Sequence, residues 1–265
     1  MPIVSYRMED TVATLQISRP DRRNALNHAG VAELLSGVDS AVADGARVLV
    51  ITGDAGHFCA GADLKELEDL TFTRLLRKAL DALAETPFPT IAAIEGSCMG
   101  LGAQIALACD LRVADESARF AVPVAKLGLM VDHWTLQRLA LLVGHSMARW
   151  LTMTAKPITA EQAAATGFVH EILPAPPQDD SAPAPVAGVA PVLSHATALA
   201  HHITLLAPLS LAGTKRGLNQ LERDSGQLDP NAEYVSAFEL AWASEDLKEG
   251  QAAFTERRRP NFRGA

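Results

Sequence analysis

Cysteine is scarce in this 265-residue chain: Cys59, Cys98 and Cys109 are the only three. An odd number with no Cys-x-x-Cys pair excludes a disulfide framework and a cysteine-built zinc site, and it fits a reducing, cytoplasmic setting. Long hydrophobic runs are also missing. No stretch reaches the ~18–20 apolar residues of a membrane span. The opening Met-Pro-Ile-Val-Ser-Tyr has no basic segment leading into an apolar one, so no secretory signal is expected. Positive charge is in deficit, with a formal net charge of −8, which makes the chain a poor general partner for nucleic acid.

What is present is enough for a large core. Hydrophobic residues make up 48% and charged residues 20%, so neither metal nor disulfide is required for stability. The length suits one large α/β domain, or a domain with an appendage. The basic residues are clustered, with Arg19, Arg22 and Arg23 near the start and Arg257, Arg258, Arg259 and Arg263 near the end. A polyanionic ligand is therefore compatible with an acidic chain.

Along the chain, apolar runs at 3–6 and 11–18 flank Glu9-Asp10 and predict a β-hairpin. Val31, Leu34, Leu35, Val38 and Val42 have helical spacing. Residues 47–52 and 89–95 read as strands, and Leu64 to Leu83 as an amphipathic helix. The stretch Gly96-Ser-Cys-Met-Gly100-Leu-Gly102 reads as a glycine-rich loop before a helix over 104–108, and 110–114 as another strand. From Trp134 a helix is predicted to Val143, ending at Gly144. Thr159-Ala-Glu-Gln162 is a capping box, and 168–173 a last strand. Residues 174–191, rich in proline and alanine, read as a loop. Helices are predicted near 194–206, 210–223, 230–243 and 245–256. This alternation predicts an α/β fold of strand–strand–helix units. Residues 1–191 are expected to form its core, and 192–265 a helical region of the kind that often packs on neighbouring subunits.

Local patterns in order along the chain carry a resemblance. They are Arg19-Pro-Asp-Arg-Arg-Asn-Ala-Leu26, Phe58-Cys-Ala-Gly-Ala-Asp-Leu64, Gly96 to Asp110, Phe120-Ala-Val-Pro-Val-Ala-Lys-Leu-Gly128 and Glu256-Arg-Arg-Arg-Pro-Asn-Phe262. Together they resemble the crotonase (enoyl-CoA hydratase/isomerase) superfamily over nearly the whole length. Asp132-His-Trp, Leu142-Val-Gly-His145 and residues 259–265 are similar to a mycobacterial paralogue of mycolic-acid synthesis that lacks the hydratase glutamates. The resemblance implies a spiral α/β fold, a homotrimer or hexamer, and a coenzyme A thioester as ligand, with no separate cofactor. It also implies fatty-acid metabolism, with lipid-synthesis enzymes as possible partners.

The resemblance further implies an oxyanion hole made by the backbone N–H groups of Ala62 and Leu101. Such donors stabilise the enolate oxygen that thioester chemistry creates, and losing one costs about 3–4 kcal/mol. The family commonly carries glycine at position 101, and leucine narrows the cavity while keeping the N–H. The hydratase glutamates correspond to positions 104 and 124, which here are Gln104 and Val124. Glutamine can orient a water but has no proton to give, and valine can do neither. Losing general acid–base help costs roughly 10²–10⁴-fold per group. Asp132 is either a working carboxylate or the N-cap of the helix that follows.

Arg22 or Arg23 would meet the pantetheine or pyrophosphate, Arg257 the adenosine 3′-phosphate, and carbonyls between Ala60 and Leu64 the adenine. Val124, Leu101 and Met130 would make an apolar wall for an acyl chain. The expectation is an acyl-CoA binder without efficient hydration. The alternatives are an isomerase, hydrolase or decarboxylase using Asp132, a weak hydratase, or a subunit with no ligand. His201-His202 has no partners at metal spacing and reads as surface helix.

Overall fold

The protein is represented by a computed structural model, which describes residues 2–64, 70–175, 190–224, 239, 242–258 and 260. Its centre is a six-stranded sheet in the order β1-β2-β3-β4-β6-β9. These strands are β1 (Val4–Glu9), β2 (Val12–Ile17), β3 (Val48–Gly53), β4 (Thr90–Ile94), β6 (Leu111–Asp115) and β9 (Glu171–Leu173). The β1–β2 pair is the expected antiparallel hairpin, and every other pairing is parallel. Parallel strands are buried on both faces, which is why β3 and β4 read as unbroken apolar runs.

The period of two divides β3 between two cores. Leu49 and Ile51 join the cluster that holds α1 (His28–Ala43) and α2 (Leu70–Ala84). Val48 and Val50 face the other way, onto Val192, Ala196, Ala200 and Ile203 of α6 (Pro191–Thr204). The sequence boundary at 191 groups α6 with the C-terminal helices, but its packing makes it the outer layer of the core. The following α7 (Pro208–Asp224) reaches the core chiefly through polar side chains. Lys215, 7% exposed, bonds Asp110 Oδ2 at 2.7 Å, Thr86 Oγ1 at 2.8 Å and the Phe88 carbonyl at 3.0 Å.

A second sheet contains β5 (Ser97–Met99), β7 (Arg119–Ala121) and β8 (Ile158–Thr159). Parallel bridges extend it from Cys98 to Cys59, and from Ala62 to Leu26. Strands β4 and β5 therefore go to different sheets, as do β6 and β7, and a helix closes each unit. These helices are α3 (Leu101–Ala108) and α4 (His133–Met153). Such winding is the strand–strand–helix spiral expected from the sequence.

The glycine-rich stretch is not a plain loop. Residues 97–99 are strand because Arg119–Ala121 pairs along one side and Cys59 along the other. Helix α4 does not stop at Gly144 but breaks there, at φ 74° and ψ 153°, and resumes to Met153. The capping box forms at the start of α5 (Ala160–Ala165). Most of the helix expected near 230–243, and the loop at 176–189, lie outside the described residues. Helix α8 (Glu245–Thr255) docks backbone to backbone on the 3-10 turn Pro123–Leu127. A Cβ at Gly250 would stand 2.5 Å from the Leu127 carbonyl, and one at Gly128 2.6 Å from Asp246.

Candidate functional site

The chain from Phe58 to Asp63 is held on both sides. Cys59 N–H donates to the Ser97 carbonyl at 2.8 Å, and Met99 N–H to the Cys59 carbonyl at 2.9 Å. Across from these, Leu26 N–H donates to the Gly61 carbonyl at 2.9 Å and Asp63 N–H to the Leu26 carbonyl at 2.7 Å. The last two bonds bracket Ala62 and leave its N–H outside the ladder. Gly100 (φ 52°, ψ −111°) turns the chain from β5 into α3, a backbone shape that only glycine adopts without strain. Leu101 is then the first residue of α3, so its N–H lies beyond the reach of intrahelical acceptors and at the positive end of the helix.

Close backbone contact sets these two segments side by side. A Cβ at Gly100 would lie 3.9 Å from Gly61 Cα, and one at Gly61 3.3 Å from the Met99 carbonyl oxygen. At Gly102 a Cβ would lie 2.2 Å from the Cys59 carbonyl oxygen, so the start of α3 presses directly on the Phe58–Asp63 segment. Ala62 thus lies on the bridged Phe58–Asp63 segment beside β5 and Leu101 opens the helix that follows β5, each with its N–H outside the ladder.

The first basic loop braces this arrangement through a residue the sequence reading did not single out. Asn24, fully buried with φ 62°, accepts from Arg19 N–H at 2.8 Å and donates to the carbonyls of Asp54 at 2.8 Å and His57 at 2.6 Å. Arg19 pairs with Asp63 at 2.8 Å. The only prior signal was a lone asparagine in a loop, a residue that tolerates left-handed backbone and bonds main chain readily. Arg22 and Arg23 stand exposed on the same loop, and the Arg23 carbonyl accepts Ala60 N–H at 2.9 Å. Arg257 is exposed beyond the end of α8. Nothing bonded joins it to Arg22 or Arg23 among the described contacts.

Gln104 lies on α3 almost one turn past Leu101 and is 8% exposed. Its Nε2 donates to Thr135 Oγ1 at 2.8 Å, inside the core. Asp132 is the N-cap of α4, accepting Thr135 N–H on Oδ1 at 2.7 Å. Its Oδ2 stands 3.5 Å from Arg77 Nη1. Both carboxylate oxygens therefore have a positive or donor partner. Val124 is half-buried against the main core, in the turn on which α8 rests, and Leu64 is half-buried at the end of the Phe58–Asp63 segment.

Two cavities flank α4. The one between α3, β7 and α4 is wholly apolar but only about 10 Å³. The other, about 440 Å³, runs between α2, α4 and α7 and is lined by Arg77, Asp132, Trp134 and Glu222 among others. Neither is lined by Ala62, Leu101, Val124 or Met130.

Burial shifts His57, Glu95, Cys59 and Cys109 toward their neutral forms. Burial lowers the pKa of His57, helped by the Arg23 charge, and its Nδ1 accepts Ser97 N–H at 3.2 Å. Burial raises Glu95, helped by Asp115. Cys59 and Cys109 are pushed up to about 12 by complete burial, so neither offers a thiolate near neutral pH. Among the described residues no group of three or more His, Cys, Asp or Glu is placed to hold a metal.

Comparison with known proteins identifies the same frame. The pattern of the enoyl-CoA hydratase/isomerase family matches residues 7–265. The chain is 37% identical to the probable enoyl-CoA hydratase echA6 of Mycobacterium tuberculosis, over 99% of this chain and all of that one. It is 35% identical to the 2,3-dehydroadipyl-CoA hydratase of Escherichia coli, over 97% of this chain and 96% of that one. A solved structure of methylmalonyl-CoA decarboxylase with 2-nitronate-propionyl-CoA superposes with a TM-score of 0.84 at 25% identity, covering 99% of both chains.

Proposed function

The chain belongs to the enoyl-CoA hydratase/isomerase family, and from that premise we propose that it binds acyl-CoA thioesters without hydrating them efficiently. The thioester oxygen sits between the N–H groups of Ala62 and Leu101. The observation that carries this reading is the close approach of the Gly61 and Gly100 backbones, with the amide that follows each glycine left out of the sheet's bonding. Two fixed main-chain donors polarise a carbonyl at no reorganisation cost.

Hydration needs more than that hole. It needs one group to take a proton from water and another to return one to carbon. Gln104 offers an amide tied to Thr135, and Val124 offers hydrocarbon. Asp132, the remaining carboxylate, is engaged in capping α4 and in the Arg77 pair, which supports a positioning role over a catalytic one. Arg22, Arg23 and Arg257 would serve the coenzyme A phosphates. The role fits fatty-acid metabolism in the cytoplasm, with mycolic-acid synthesis as its narrower form and a homotrimer or hexamer as the working assembly.

The test is a joint one of binding and turnover. Acyl-CoA should raise the unfolding temperature in a concentration-dependent way, because a ligand that binds only the native state must stabilise it. Crotonyl-CoA hydration should stay below about 1 s⁻¹, the low end of ordinary turnover. Absence of stabilisation by any acyl-CoA, or hydration above that rate, overturns the proposal.

A further inference from the structure

The cleft between α2, α4 and α7 contains a guanidinium that is ion-paired yet makes no hydrogen bond. Arg77 lies against Trp134 with its Cζ 3.8 Å from the ring centroid. Its Nε, Nη1 and Nη2 are buried and make no hydrogen bond. Asp81 stands at 2.8 Å and Asp132 at 3.5 Å, so the charge is balanced, but neither carboxylate is aligned as a hydrogen-bond acceptor. A guanidinium presents five N–H donors in a rigid fork, and burying them without acceptors is unfavourable. Unmet buried donors of this kind call for an explanation. Here the same guanidinium lines a cleft of about 440 Å³, a size that suits part of a small molecule.

The cleft abuts the site already described. Asp132 caps α4 through Thr135, and Thr135 holds Gln104, which follows Leu101 on α3. The apolar cavity on the other side of α4 is about 10 Å³, close to the least that holds one water. Of the two cavities that flank α4, the roomy one is therefore the polar one.

We infer that Arg77 is the specificity-determining residue of an acyl-tail subsite, and that this subsite takes an acyl chain bearing a neutral oxygen function, a hydroxyl or a ketone. The inference rests on the acyl-CoA reading above and adds a substrate class to it. A neutral oxygen would accept from the unused N–H groups while Asp81 and Asp132 keep the charge balanced. A carboxylate tail is disfavoured, because the lining already sets four carboxylates (Asp81, Glu85, Asp132, Glu222) against two guanidiniums (Arg77, Arg138). A plain alkyl tail would leave the Arg77 donors buried and unbonded.

Titration calorimetry with three six-carbon thioesters tests this: hexanoyl-CoA, 6-hydroxyhexanoyl-CoA and adipoyl-CoA. The wild-type protein should bind the hydroxylated thioester at least about 10-fold more tightly than hexanoyl-CoA, with adipoyl-CoA weakest. Arg77→Met should abolish the preference for the hydroxyl. Arg77→Lys, which keeps the charge but not the fork, should also lose it, and it carries the test if the Met variant fails to fold. Equal binding of the hydroxylated and plain thioesters by the wild type overturns the inference while leaving acyl-CoA binding intact. So does tightest binding of adipoyl-CoA, or a hydroxyl preference that survives in both variants. If none of the three binds, the inference fails, and the acyl-CoA reading fails with it only when no acyl-CoA of any chain length raises the unfolding temperature.

Discussion

Gln104 Nε2 donates to Thr135 Oγ1 at 2.8 Å, joining α3 to the first turn of α4 inside the core. The amide is therefore fixed in place, while Val124, in the turn Pro123–Leu127, has no polar group to fix. If hydration is absent because both acids are absent, restoring one should do little. Gln104→Glu alone is expected to change crotonyl-CoA hydration by less than about 10-fold. Gln104→Glu with Val124→Glu is expected to raise it by at least about 10²-fold, the usual scale of one acid–base group. Loss of the enoyl-thioester absorbance measures both. A large gain from the single change would show that a second acid is already at work.

Gly102 marks where α3 meets the Phe58–Asp63 segment. Gly102→Ala places a methyl group 2.2 Å from the Cys59 carbonyl oxygen, so one of the two segments must move. The expected cost is about 1–3 kcal/mol in urea unfolding, with acyl-CoA affinity falling as well. Gly213→Ala on α7 is the contrast, since nothing lies within 4 Å of its Cβ position. There alanine should be neutral or stabilise by about 0.5–1 kcal/mol.

Asn24 satisfies the Arg19 N–H and two carbonyls from a fully buried, left-handed position. Asn24→Ala leaves those groups without partners and keeps a strained φ. A loss of about 2–4 kcal/mol is expected from chemical denaturation. Asn24→Asp keeps the acceptor for Arg19 but loses both donated bonds, and it should also destabilise. A change below about 0.5 kcal/mol in either variant, the scale of an ordinary surface substitution, contradicts the clamp.

His57 and His170 both have lowered pKa values, from burial first and then from Arg23 and Arg112 respectively. Between the lowered folded value and the ordinary 6.5, the unfolded chain binds more protons than the native protein. Stability therefore rises with pH through that window and is lost as pH falls through it. The wild type should lose stability on acidification from about pH 7 to pH 5 more steeply than the His57→Gln, His170→Gln double variant. Parallel urea-unfolding curves for the two proteins across that range would contradict the assignment.

Much of the frame was legible in the chain because buried parallel strands and amphipathic helices write their periods into it. The hairpin, β3, α1 and the Thr159 capping box follow the sequence closely. Strand β5 was hidden because its three residues are bounded by glycines, and only pairing with segments some twenty and forty residues away makes them strand. Helix α6 was hidden as a core layer because an amphipathic helix does not record which surface its apolar face meets. At the site, Ala62 and Leu101 entered through the resemblance, since their chemistry is main-chain and leaves no side-chain signature. Asn24 also bonds Asp54 and His57, and Arg77 meets Asp132 and Trp134, all far along the chain, and spacing cannot reveal such contacts.

The central claim is tested most directly by isotope-edited infrared difference spectroscopy of crotonyl-CoA labelled at the thioester carbonyl and bound to the wild-type protein. Two main-chain donors on the oxygen, with no acids to add water, predict a carbonyl band moved to lower frequency that then persists unchanged. A band at the frequency of the free thioester, or its replacement by that of the 3-hydroxyacyl product, would contradict the account.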